Sequence, residues 1–231
     1  MNQSVQNYPG IAGGGALAAQ RNRVLRNTYW LLALSMLSTV LGAWVGMQVN
    51  LAQIMSPGIG LVVFLAGAFG FMFAIEKTKN SAAGVPVLLG FTFFMGLMLS
   101  RLLGVVLGMS NGASLVMMAF AGTGAVFLGM ASLSSVIKRD LSGMAKFMFI
   151  GAIILLVVGI ANVFIQSSAL MITMASLAIV IFSFFILHDL KRVQDGLETN
   201  YITATLGVYL SIYNVFQSLL ALLGIFGGNN D

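Results

Sequence analysis

Few residues in this sequence can do chemistry. Of 231 residues only 7% are charged, with a single His and no Cys. That excludes disulfides, thiol catalysis and Cys-bound metals, and one His cannot build a multi-His metal site. The acid that stands out is Asp189, beside His188 and three residues before Arg192. One reading is structural: an acid at a helix end, paired with Arg192 at i,i+3. The other is functional: an inward-facing carboxylate whose charged form is disfavoured by desolvation, so that it titrates and gates a path. Both stay open at this level.

Three further sets of residues share helix faces. Gly207, Ser211, Asn214 and Ser218 recur at i, i+4, i+7 and i+11, with Gln217 beside them. Gly159, Asn162 and Gln166 repeat that pattern earlier in the chain. Such faces turn into a bundle, either to pack through small and polar groups or to line a wet cavity. Gly96, Ser100, Gly104 and Gly108 are spaced by four, a stripe that lets helices approach closely. Arg101, on the same helix, sits about 8 residues or roughly 12 Å from that helix's end. It either snorkels to the interface or acts as a charge partner within the membrane.

The elements that must hold these residues are membrane spans. The chain is 59% hydrophobic, and its charged fraction is far below the roughly one quarter of a soluble domain. Seven apolar runs are each long enough for the roughly 20 residues that cross a bilayer: Thr28–Val49, Pro57–Ile75, Ala82–Met109, Gly112–Ile137, Met144–Ile165, Ser168–His188 and Tyr201–Phe226. Continuous apolar runs exclude the alternation of a barrel, leaving helices as the spanning option. The expected fold is all-α, a seven-transmembrane-helix bundle. Residues 1–27 are expected to be a flexible cytoplasmic tail, 28–226 the membrane domain and 227–231 a short outer tail.

The basic residues set the expected orientation. Arg21, Arg23, Arg26, Lys77, Lys79, Lys138, Arg139, Lys146, Lys191 and Arg192 all fall on one side of this bundle, which leaves only Arg101 of the eleven. By the positive-inside rule that side is cytoplasmic, and an odd number of spans puts Asp231 outside. The net charge of +5 therefore does not indicate nucleic acid, because it is divided among loops rather than gathered in one patch. No phosphate-binding loop is present, and no span holds the Ser–His pair of a membrane protease. The last span has no Lys for a retinal Schiff base. Nothing in the residues calls for an enzyme or a cofactor.

Several segments together resemble the Bax inhibitor-1 family, also known by its transmembrane Bax inhibitor motif. Lys138-Arg139-Asp140-Leu141-Ser142 is similar to its loop after the fourth helix. Phe185-Ile186-Leu187-His188-Asp189 is similar to its sixth-helix ending, and the run from Leu206 to Phe216 to its last helix. Val24-Leu25-Arg26-Asn27-Thr28-Tyr29 and Glu198-Thr199-Asn200-Tyr201-Ile202 resemble its bacterial YccA-like branch in particular.

The resemblance implies seven helices around a central last one, in a bacterial inner membrane, and it implies two functions. One is binding to a membrane-bound AAA protease of the FtsH type, for which a free N-terminal tail would suit. The other is a pH-sensitive calcium leak gated by facing carboxylates on the sixth and seventh helices. Asp189 matches the first carboxylate, but the second position is Ser211, so a dyad sharing one proton cannot form here. Such a leak would reduce to Asp189 alone as titrating group, with Ser211, Asn214 and Asn162 along the path, Arg192 or Arg101 as charge partners, and calcium as permeant ion.

Overall fold

The computed structural model describes residues 10–227, and within them every regular element is a helix. These are α1 (Gly10–Gln48), α2 (Leu51–Ile54), α3 (Pro57–Thr78), α4 (Gly84–Leu107), α5 (Gly112–Val136), α6 (Ser142–Ile165), α7 (Ser168–Gln194) and α8 (Tyr201–Gly227). All but the one-turn α2 are long and apolar enough to cross a membrane, giving 7 candidate spans. Short turns join them, so consecutive spans run antiparallel. One end of the bundle gathers the α3–α4, α5–α6 and α7–α8 turns and their Lys and Arg residues, and is called the basic end below.

Two helices differ from the sequence reading. Helix α1 begins at Gly10 rather than near Thr28, so residues 10–27, expected to be a flexible tail, are helical; residues 1–9 and 228–231 lie outside the described part. Helix α7 continues past His188 to Gln194. Lys191 and Arg192 occupy its last turn, where cations meet the negative end of the helix dipole. Gly196, at φ +76°, then reverses the chain, and the Leu197 amide closes the turn on the Arg192 carbonyl at 2.8 Å.

Helix α8 is the centre of the bundle. Its Val208, Tyr209, Val215 and Leu220 are fully buried, and it packs against α1, α4, α5 and α7. Helix α6 lies at the periphery with no buried residue, packed mainly on α7. The α1–α4 pair makes the closest approach. A Cβ on Gly42 would land on the Phe93 carbonyl oxygen, and one on Gly96 on the Thr39 carbonyl oxygen. Gly46 packs in the same way on the Ser100 side chain. Two halves of the fold are tied at the basic end by Asn200. Its Oδ1 accepts from the Ile202 and Thr203 amides, capping α8, while its Nδ2 donates to the Lys79 carbonyl (3.0 Å) and Asn80 Oδ1 (2.9 Å) in the α3–α4 turn.

Candidate functional site

Asp189 sits on α7, one and a half turns before the helix ends, and is partly buried. Its Oδ1 lies 3.0 Å from His188 Nδ1. Its Oδ2 lies over Gly207 of α8, where a Cβ would come within 2.7 Å of it. The glycine that opens the polar stripe of the last span is therefore the floor on which this carboxylate rests. The imidazole is stacked against Phe184, ring centroids 6.1 Å apart.

The i,i+3 pairing with Arg192 does not form. Arg192 reaches Glu198 Oε2 at 3.8 Å, because the turn at Gly196 folds Glu198 back onto the helix end. The next cation, Lys191, pairs with Asp195 at 2.9 Å. Asp140, in the α5–α6 turn, completes the charge pattern: hydrogen bonds from the Ser142 side chain and backbone hold its carboxyl below the usual carboxylate range, and the charges of His188 and Lys191 act in the same direction. A second acid is thus brought toward His188 from a neighbouring turn, not from α8.

The other residues singled out above are spread through the bundle. Ser211 is buried one turn below Gly207 and donates to its carbonyl at 3.1 Å. Asn214 donates to the Leu210 carbonyl at 2.8 Å. Both polar groups are thus engaged with their own helix. Asn162 lies at the end of the bundle opposite Asp189, where its Oδ1 accepts from the Ser167 amide at 3.0 Å and closes the α6–α7 turn. Arg101 is also toward that far end. Its Nη1 donates to the Met55 carbonyl at 3.3 Å, and it borders a cavity of about 320 Å³ shared with Tyr213 and Gln217. Arg101 and Asp189 are therefore not partners.

A hydroxyl cluster deeper in the bundle was not singled out from sequence. Thr39 of α1 and Tyr209 of α8 meet at 2.8 Å, and Thr39 also lies 3.1 Å from the Thr92 carbonyl of α4. Tyr213 donates to the Met95 carbonyl at 3.2 Å. The available signal was a Tyr pair four apart beside the polar stripe of the last span. In lipid each such hydroxyl must find a partner inside the protein.

A helical bundle of seven apolar spans, its buried Thr39, Tyr209 and Ser211 hydroxyls bonded within the protein, defines a polytopic integral membrane protein. The chain belongs to the family described as Inhibitor of apoptosis-promoting Bax1, matched over residues 21–228. It is 38% identical over 212 residues to an uncharacterized membrane protein of Vibrio cholerae, covering 92% of this chain and 93% of the relative. It is 34% identical over 203 residues, covering 88% and 90%, to the Modulator of FtsH protease YccA of Escherichia coli K12. The same figures hold, at 88% and 90%, for the Inner membrane protein YccA of Escherichia coli strain CFT073. The protein is a multi-pass protein of the bacterial inner membrane.

Proposed function

We propose that this protein binds and restrains a membrane-bound AAA protease of the FtsH type, without enzymatic activity or a cofactor of its own. The observation that carries this reading is the nearly full-length likeness to the relative named as a modulator of FtsH. We place the basic end in the cytoplasm and the C-terminus outside, on the side preference of Lys and Arg. Helix α1 supports contact with a partner on the basic side: residues 17–20 are all exposed on its first turns. Turnover of membrane substrates of the protease, measured with and without this protein, tests the reading. Slower turnover in its presence is expected, and deletion of residues 2–20 should relieve it. Equal turnover with and without the whole protein would remove the basis of the proposal.

A second reading rests on the placement of Asp189 at the α7–α8 seam, beside His188 and over Gly207. In it the protein leaks calcium under the control of that carboxylate, with Ser211 and Asn214 below it and Asn162 and Arg101 toward the far end. Protonation removes the negative charge and weakens the contact with His188. Calcium flux into liposomes should then depend on pH. Asp189→Asn should lock it in the low-pH behaviour. No flux above empty liposomes would leave Asp189 as a structural acid.

A further inference from the structure

Helices α1 and α5 face each other across a lateral groove that α4 and α8 close from behind. The groove has a volume of about 770 Å³, with walls that include Leu32, Met36, Trp44, Leu103, Phe120 and Phe127. Trp44 is 56% exposed and Phe120 73%, so the groove opens sideways, within two spans, onto the hydrocarbon of the bilayer. Its floor reaches Thr39 and Tyr209, whose hydroxyls already bond each other at 2.8 Å. A polar ligand would find no free donor in that pair. An acyl chain needs none.

At the basic end the same two helices border a second, polar cavity of about 620 Å³. Arg21 and Asn22 of α1, Ser135 of α5, Lys138, and Lys191 with Asp195 line it. Asp195 is engaged by Lys191 at 2.9 Å. Among the described residues neither Arg21 nor Lys138 has an ion-pair partner. The two cavities lie in register. Arg21, Leu25, Tyr29, Leu32 and Met36 follow one face of α1, and Tyr29 and Phe127 meet edge-on at the junction, centroids 6.3 Å apart. From Tyr29 to Met47 the groove follows α1 for about 27 Å, more than the roughly 15 Å of one leaflet's hydrocarbon.

A cationic cavity at the membrane surface above an apolar, laterally open groove matches an amphiphile with an anionic head. We propose that the α1–α5 groove binds one anionic glycerophospholipid, its phosphate between Arg21, Lys138 and Lys191 and one acyl chain along the groove past Tyr29 to Met36, about 22 Å from Arg21 along α1. The phosphate fills the cation surplus left after the Lys191–Asp195 pair, and the chain covers apolar walls that α1 and α5 do not cover for each other.

The test uses the full chain in vesicles, with Trp30→Phe and Trp44→Phe removing the native indoles, which are exposed at 69% and 56%, and Met36→Trp placing the sole reporter on the groove wall. Acyl-brominated phosphatidylglycerol and acyl-brominated phosphatidylcholine are compared as quenchers at equal mole fraction. Stronger quenching by the anionic lipid is expected. Arg21→Gln and Lys138→Gln should each reduce that preference about fivefold. Arg23→Gln with Arg26→Gln removes twice that charge outside the cavity and should leave the preference in place. Gly124→Leu puts a side chain into the groove where a Cβ meets nothing within 4 Å, and should reduce quenching by both lipids. Free glycerol phosphate should not compete, since it lacks the chain. Equal quenching by the two lipids overturns the proposal. So does a preference lost equally in the Arg23/Arg26 control, which would assign it to diffuse surface charge.

Discussion

At the residue scale, Asp189 was legible as an acid at membrane depth, but its partners were not. The i,i+3 argument sees only local spacing, and Arg192 is drawn to Glu198 by a turn whose geometry depends on Gly196 at positive φ. The carboxylate is instead held between its neighbour His188 and the bare backbone of Gly207. Gly207→Ala should therefore act on Asp189 more than on the fold. A methyl group there must push the carboxylate off α8. We expect a loss of stability within about 1.5 kcal/mol, since one small group is added against a movable side chain, together with any pH response shifted in the direction of Asp189→Asn. Thermal unfolding in detergent and the pH profile of flux separate the two effects. Asp140 behaves differently. Because hydrogen bonds from Ser142 depress its folded-state pKa, its contribution to stability is present above the ordinary carboxylate range and is lost only as pH falls below it. Asp140→Asn should thus leave any response between about pH 6 and 8 unchanged, and a response abolished by that variant would make Asp140 the sensor.

At the element scale, apolar run length gave the number and order of the spans, because a bilayer imposes a minimum length on each. The two helix ends that differed are governed by local matters that hydropathy does not report. Helix α1 starts within a Gly-rich, uncharged stretch, and α7 runs on through charged residues that suit a helix C-terminus. The small-residue stripe of α4 was readable as a packing device but not in its extent. Gly96 is pressed against the α1 backbone, whereas a Cβ on Gly104 would meet nothing within 4 Å. Gly96→Ala is expected to destabilise by about 1–3 kcal/mol or more. Gly104→Ala should be neutral or stabilise by up to about 1 kcal/mol through helix propensity. Comparing the melting temperatures of the two variants checks the assignment, and a similar cost at both positions would contradict the packing described here. The matching pair on α1, Gly42 and Gly46, carries the same four-residue spacing and could have been found by the same rule.

At the scale of the whole molecule, alternating basic turns made the antiparallel order legible, whereas the central position of α8 followed from resemblance and became physical only in the packing. The hydroxyl cluster of Thr39, Thr92 and Tyr209 joins residues of α1, α4 and α8, and no local pattern announces such a meeting. The orientation is open to direct measurement. Reporter fusions after residues 55, 110 or 231 should report the outer side, and a cytoplasmic signal at 231 would contradict the seven-span topology.

Helix α1 is 39 residues long, about 58 Å, against a hydrocarbon core of about 30 Å, and it is seated on α4 backbone to backbone at Gly42 and Gly96. Its exposed end is thus a rigid lever rather than a slack tether. A motor that grips chain on the N-terminal side pulls along the axis of this helix, loading the α1–α4 contact in shear, where many close contacts must give way together. In the proposed complex with an FtsH-type protease, such a load would therefore fall on the α1–α4 contact rather than on a slack segment.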